Sequence, residues 1–208
     1  MAMTMVRCAC NMRWMAIGVM TVLLLGCAGQ TMTISGTTTL GALIDSIVVD
    51  NTTIIDDELP DNAYCAAVST WTQGSVEFEA EVLRLVNINR AAGADCGSTG
   101  SFDPAPGLVE NAALRCAARN HSLDMATRNF FGHTNLDGDG PRERMDSAGY
   151  DGFAWGENIA FGQTSPAQVV DGWMHSSGHC ANIMSPLFTE IGIGHHPTNQ
   201  WTQAFGAR

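Results

Sequence analysis

Four short blocks in the second half of the chain constrain its fold most. They are Phe130-Phe131-Gly132-His133-Thr134, Gly156-Glu157-Asn158-Ile159-Ala160, Gly178-His179-Cys180-Ala181-Asn182-Ile183-Met184 and Phe188-Thr189-Glu190-Ile191-Gly192-Ile193-Gly194. Each sets one imidazole or carboxylate beside glycine or another small residue, where backbone can approach closely. Imidazoles and carboxylates are the groups that most often bind metals or move protons near neutral pH. One block alone says little. Four in order, within about 65 residues, form a constellation.

Periodicity places these blocks among regular elements. Phe78, Val82, Leu85, Val86 and Asn89 recur at helical spacing, which predicts a helix over 76–90 with Ser75 as its cap. Residues 95–107 hold three Gly and two Pro and read as a loop. A second helix is expected over 108–128, with Leu108, Ala112, Leu114, Cys116, Ala117 and Met125 inward. Asp137-Gly138-Asp139-Gly140-Pro141 is a turn cluster, and Pro141 starts a short helix to about Ala148. Ser165 caps another helix with Pro166 at its first position. The stretches 188–195 and 200–206 alternate as strands. Glu157 and Asn158 read as a turn after Gly156, and Glu190 and Gly192 share a strand face that can open to a cleft. The class is α+β, with helices bracketing a small antiparallel sheet.

The N-terminus reads as an export signal. Arg7 and Arg13 precede the apolar run 14–25, which is shorter than the roughly 20 residues a bilayer span needs. Leu24-Leu25-Gly26-Cys27 resembles a bacterial lipobox, with Cys27 the lipidated first residue. The alternative is a plain secretory signal cut near Ala28. Ala28 after the cysteine favours the outer membrane of a diderm cell, by resemblance to such lipoproteins. This divides the chain into a signal peptide (1–26), a tether with a Cys65-bearing lead-in (27–74) and a folded domain (75–208). Acyl chains then supply membrane attachment, at about 0.8 kcal/mol per buried methylene.

Charge narrows the partners. The chain has ten Arg, no Lys and a formal charge of -11; loss of Arg7 and Arg13 leaves eight Arg against 21 acids, or -13. Such a surface argues against nucleic-acid binding and against electrostatic adhesion to anionic lipid. Cys65, Cys96, Cys116 and Cys180 remain after export, an even number that points to two disulfides. No two lie at the close spacing of a zinc knuckle.

The ordered blocks resemble the CAP superfamily of cysteine-rich secretory, antigen 5 and pathogenesis-related proteins, whose domain is also called SCP, in its short bacterial form. The resemblance runs from Phe78 to Arg208 and takes in Asn120-His121-Ser122-Leu123-Asp124-Met125-Ala126 and Trp201-Thr202-Gln203-Ala204-Phe205-Gly206. It implies an α-β-α sandwich and a solvent-facing cavity lined by His133, Glu157 and His179. The second glutamate of longer relatives falls at Ser176 here, and Glu190 is the candidate replacement. The resemblance also implies the disulfide Cys96–Cys180, which leaves Cys65–Cys116.

Three readings of the cleft follow. The first is a metal site, with His133, His179 and Glu157 resembling an open zinc centre. The second is an envelope hydrolase or peptidase, with Ser176 or Ser177 as nucleophile and His179 as base. The third, favoured, is a non-catalytic module of monomeric protein holding a small ligand or envelope component. A structural cluster of hydrogen-bonded His and Glu is the plain alternative. Carboxylates close to the imidazoles would raise imidazole pKa values, whereas zinc would need the neutral rings. His121 reads as a satisfied interior histidine, His175 as exposed, and His195 and His196 as surface. Trp155, Trp173 and Trp201 read as core or cleft wall.

Overall fold

The structure, a computed structural model, describes residues 58–208 and the backbone of three short strands before them: β1 (Leu24–Leu25), β2 (Thr31–Met32) and β3 (Ile54–Asp56). Most of the expected signal segment, Cys27 and most of the tether lie outside the described residues. Contacts divide the chain into Met1–Val48, where β1 and β2 pair antiparallel, and Val49–Arg208, which carries the fold below. In this second unit β3 pairs antiparallel with β4 (Thr70–Thr72).

Helix α1 (Gln73–Ala92) starts three residues before the expected helix. Thr72, not Ser75, is its cap, with Thr72 Oγ1 accepting from Ser75 N at 3.2 Å. A small antiparallel pair, β5 (Ala94–Asp95) and β6 (Ser101–Phe102), sits in the expected loop. Helix α2 (Ala112–Arg128) starts later than its apolar pattern suggests. The preceding residues leave as β7 (Val109–Glu110), because Val109 N donates to Thr189 O and Asn111 N to Ile191 O. Asn111 Oδ1 then caps the helix through the N–H groups of Ala113 and Leu114.

After α3 (Pro141–Ser147) the chain enters β8 (Ala154–Phe161), then α4 (Pro166–Met174), α5 (Ser177–Met184), β9 (Glu190–His196) and β10 (Gln200–Ala207). The strands form one sheet in the order β7-β9-β10-β8. β10 pairs antiparallel with β8 and β9, and β7 runs parallel to β9. Strand β8 is the largest departure from the sequence reading. Its Gly156 and Asn158 look like turn residues, but β10 offers a register of eight paired residues that holds the segment extended.

Helices α1, α4 and α5 pack on one face of the sheet and α2 and α3 on the other, giving the α-β-α sandwich. Alternation along the strands divides the core. Ile191, Ile193, Trp201 and Phe205 meet Val82, Val86, Val169, Trp173 and Ile183 on the first face. Ala204 meets Leu114, Cys116, Ala117 and Met145 on the second. Gly192 does not open to a cleft, as its strand position suggested. A Cβ there would lie 2.0 Å from Leu114 C and Arg115 N, so α2 seals that face.

The disulfides are Cys65–Cys116, which fastens the lead-in to α2, and Cys96–Cys180, which fastens the connection between β5 and β6 to α5. His195 is interior, contrary to its surface reading. Its Nδ1 lies 3.0 Å from Ser75 Oγ, and its ring packs between Trp201 and Phe78. Beside it the buried pair Glu79–Arg119 closes at 2.5 Å.

Candidate functional site

The site grows from the position of Glu157 on an edge strand. Glu157 pairs with Ala204, so its side chain shares the α2/α3 face with Trp155, Ile159 and Phe161. Its carboxylate is buried and both oxygens are engaged. Oε1 accepts from His133 Nδ1 at 2.8 Å, and Oε2 accepts from Arg144 Nη2 at 2.6 Å. A carboxylate only accepts, so Nδ1 carries the hydrogen and Nε2 is the free nitrogen of a ring whose side chain is 51% exposed.

Arg144 was not singled out from the sequence. It is buried on α3 and joins three parts of the site. Its Nη1 donates to His133 O and Asp139 O, both at 2.8 Å, while Nη2 balances the Glu157 charge. Asp137 and Asp139 shape the turn between these residues. Their N–H groups bond Asn135 Oδ1, and Asp137 pairs with Arg128.

His121 supports the loop from below. It is fully buried, and its Nε2 donates to Gly132 O at 2.9 Å, one residue before His133. Its Nε2 lies 3.9 Å from Glu157 Oε1, yet burial outweighs that charge and pushes its pKa down to about 4.

His179 is the third residue of α5, on the opposite face of the sheet. Its backbone O accepts from Asn158 Nδ2 at 3.0 Å. Asn182 Nδ2 donates to Glu157 O at 3.2 Å and to Asn158 Oδ1 at 2.9 Å, and Asn158 also donates to Gln203 Oε1. These amides fix α5 against β8. His133 and His179 therefore belong to elements on opposite faces of the sheet, both next to the outer strand β8. The His179 pKa is lowered, first by burial and then by the charge of His133. Glu157 itself hydrogen-bonds His133 and Arg144.

Glu190 lies elsewhere. It begins β9, two strands from β8, and its oxygens accept from Tyr150 Oη at 2.7 Å and Asn111 Nδ2 at 3.0 Å, with Arg208 Nε 3.6 Å away. It ties the α2 cap to the C-terminus and does not replace the second cleft glutamate. Ser176 caps α5 without a side-chain bond, and Ser177 Oγ accepts from Ser98 N. Among the described residues no serine hydroxyl hydrogen-bonds either cleft imidazole, so the nucleophile–base contact of a hydrolase is not formed.

Glu157 is not free to serve as a metal ligand in this arrangement, because both of its oxygens are engaged. Among the described residues no three His, Cys, Asp or Glu side chains are placed to hold a metal ion together. A centre built from His133, Glu157 and His179 would require Arg144 to leave Glu157 and His133 to turn Nδ1 away. It would also set a cation beside a buried guanidinium. His195, His196 and His175 lie apart from the cleft, the last exposed beside Asp171.

Comparison with known proteins agrees with this architecture. Residues 83–206 match the Cysteine-rich secretory protein family, CAP. The Bacillus subtilis protein YkwD is 43% identical over 93 residues, covering 44% of this chain and 36% of its own length. The Bacillus subtilis membrane protein YlbC is 31% identical over 77 residues, covering 37% of this chain and 22% of its own. The chain thus matches about a third or less of either relative. Among solved structures, an extracellular protein containing a SCP domain from Bacillus anthracis has a TM-score of 0.59 at 25% identity, covering 65% of this chain and 42% of that one. An outer surface protein of Borrelia burgdorferi has a TM-score of 0.51 at 18% identity, covering 64% of this chain and 91% of that one. A family match across residues 83–206, on the sandwich that this sequence builds, places the chain in the cysteine-rich secretory protein, or CAP, family.

Proposed function

We propose that this chain is an exported CAP-domain binding module. Its cleft at the β8 edge receives a ligand directly on His133 and His179, with no metal bridging them and no reaction catalysed. The observation that carries this reading is the complete engagement of Glu157, by His133 on one oxygen and Arg144 on the other. That carboxylate is spent on orienting one imidazole, whose second nitrogen is left open toward a ligand. The signal-like N-terminus and two disulfides support export, since such bonds persist in oxidising compartments. The extracellular and outer-surface descriptions of the structural neighbours agree with it. In this reading an acylated Cys27 holds the domain at the cell envelope.

Calorimetric zinc titration and a peptide-turnover assay test it together with ring NMR. The expected result is no tight zinc binding, no turnover, and joint shifts of the His133 and His179 rings with small envelope fragments. Tight zinc binding lost in both His133→Ala and His179→Ala overturns it in favour of a metal centre. Turnover abolished by Ser176→Ala overturns it in favour of a hydrolase.

A further inference from the structure

The cleft does not end at the histidines. Strand β8 carries Trp155, Glu157, Ile159 and Phe161 on one face, and Trp155 and Phe161 are 50% and 58% exposed. Phe131, two residues before His133, is 56% exposed, and its ring centroid lies 6.4 Å from that of Phe161 at an interplanar angle of 42°. The two phenyl rings are splayed, not stacked. They wall a cavity of about 200 Å³ with Met125, Asn129, Phe130 and Gln200. Single exposed apolar residues are ordinary, but two aromatic rings on one strand face, with Phe131 of the neighbouring loop set against one of them, are not scattered.

The chemistry of this cavity is specific. None of its lining residues is charged. Gln200 Oε1 accepts from Thr198 Oγ1 at 2.6 Å, and its Nε2 hydrogens have no protein acceptor among the described residues. Asn129, which closes α2 in the left-handed region at φ 54°, also lines the cavity. Open aromatic faces beside unpaired amide donors suit a ring with an apolar face and a hydroxyl edge. The volume admits one such ring, below the roughly 300–1,000 Å³ of pockets that enclose whole ligands.

Resting on the ligand-binding reading above, we infer that the ligand is a neutral oligosaccharide that runs over the exposed rings beside β8. One sugar ring seats between Phe131 and Phe161, the chain passes His133, and a further ring reaches Trp155. From Trp155 to Phe161 the strand spans about 20 Å, enough for several sugar units. A polyanionic glycan is disfavoured by the chain charge of -11. An extended peptide pairing with the edge of β8 is disfavoured because that edge is capped. Asn182 Nδ2 holds Glu157 O at 3.2 Å, and Trp173 Nε1 holds Ile159 O at 3.3 Å.

Aromatic-ring NMR of the protein, titrated with the neutral tetrasaccharides chitotetraose and cellotetraose, tests the inference, with an uncharged apolar hexapeptide as control. The expected result is saturable shifts at Phe131, Phe161 and His133 with at least one sugar. Phe131→Ala and Phe161→Ala each weaken binding about tenfold. Both rings are largely exposed, so melting temperatures should stay close to the parent; Gln200→Leu serves as a second, polar probe and weakens binding too. Binding unchanged in both phenylalanine variants overturns the subsite. So does a response at these rings to the hexapeptide alone. Sugar-induced shifts at His133 and His179 with silent Phe131 and Phe161 overturn the subsite but leave the cleft reading. Silence of all four rings with every probe overturns both.

Discussion

Arg144 and Glu157 are both buried and close on each other at 2.6 Å, so each makes the other tolerable in the interior. Glu157→Gln leaves the guanidinium without a counter-charge. Denaturant unfolding should show a loss of about 3–5 kcal/mol. Adding Arg144→Met should recover part of it, because contacting residues are not additive. Equal losses in the single and double variants would refute the coupling. The interior histidines set a pH dependence of their own. His121 and His195 have pKa values pushed from 6.5 down to about 4, chiefly by burial. The unfolded chain takes up protons below about pH 6.5 that the folded one refuses until about 4. Their contribution is thus fully present above 6.5 and lost as pH falls to 4, by at most roughly 3 kcal/mol each. Ring NMR should find both neutral at pH 5; titration near 6.5 would contradict the packing.

At the scale of elements, β9 and α2 meet so closely that only glycine fits. Gly192→Ala places a methyl 2.0 Å from the α2 backbone, and Gly194→Ala one 2.4 Å from it. Each should cost at least about 1–3 kcal/mol by overpacking, measured as a drop in melting temperature; an unchanged melt would mean that α2 sits further out. These contacts also explain what the sequence could and could not say. Apolar spacing located α1, α2 and α4, and alternation located β9 and β10, because those patterns are local. The strand character of β8 is not local. Gly156 is there for the Phe188 ring, 2.8 Å from a Cβ, and Asn158 for the amide links to α5. Both residue types read as turn signals when their partners are unseen. His133, Glu157 and His179 were legible as site candidates from their blocks. Arg144 was hidden because an arginine on a short helix usually faces water. Glu190 misled because strand alternation gives a face but not what covers it.

Two long-range disulfides and one sheet edge organise the whole molecule. Cys65–Cys116 and Cys96–Cys180 bridge 51 and 84 residues, and reducing each should cost about 2–4 kcal/mol, read as a lower denaturation midpoint. The second bond also holds α5, and with it His179, so Cys96→Ser should disturb the cleft ring more than Cys65→Ser does. At this scale the central claim is that helices on opposite faces bring His133 and His179 together around β8. One measurement addresses it directly: the pKa of His179 by ring NMR, in the parent and in His133→Gln. If the imidazoles share one site, removing the His133 ring relieves the electrostatic interaction that helps hold the His179 pKa low, and that pKa rises. An unchanged His179 titration would place the two rings in separate environments and contradict the single cleft.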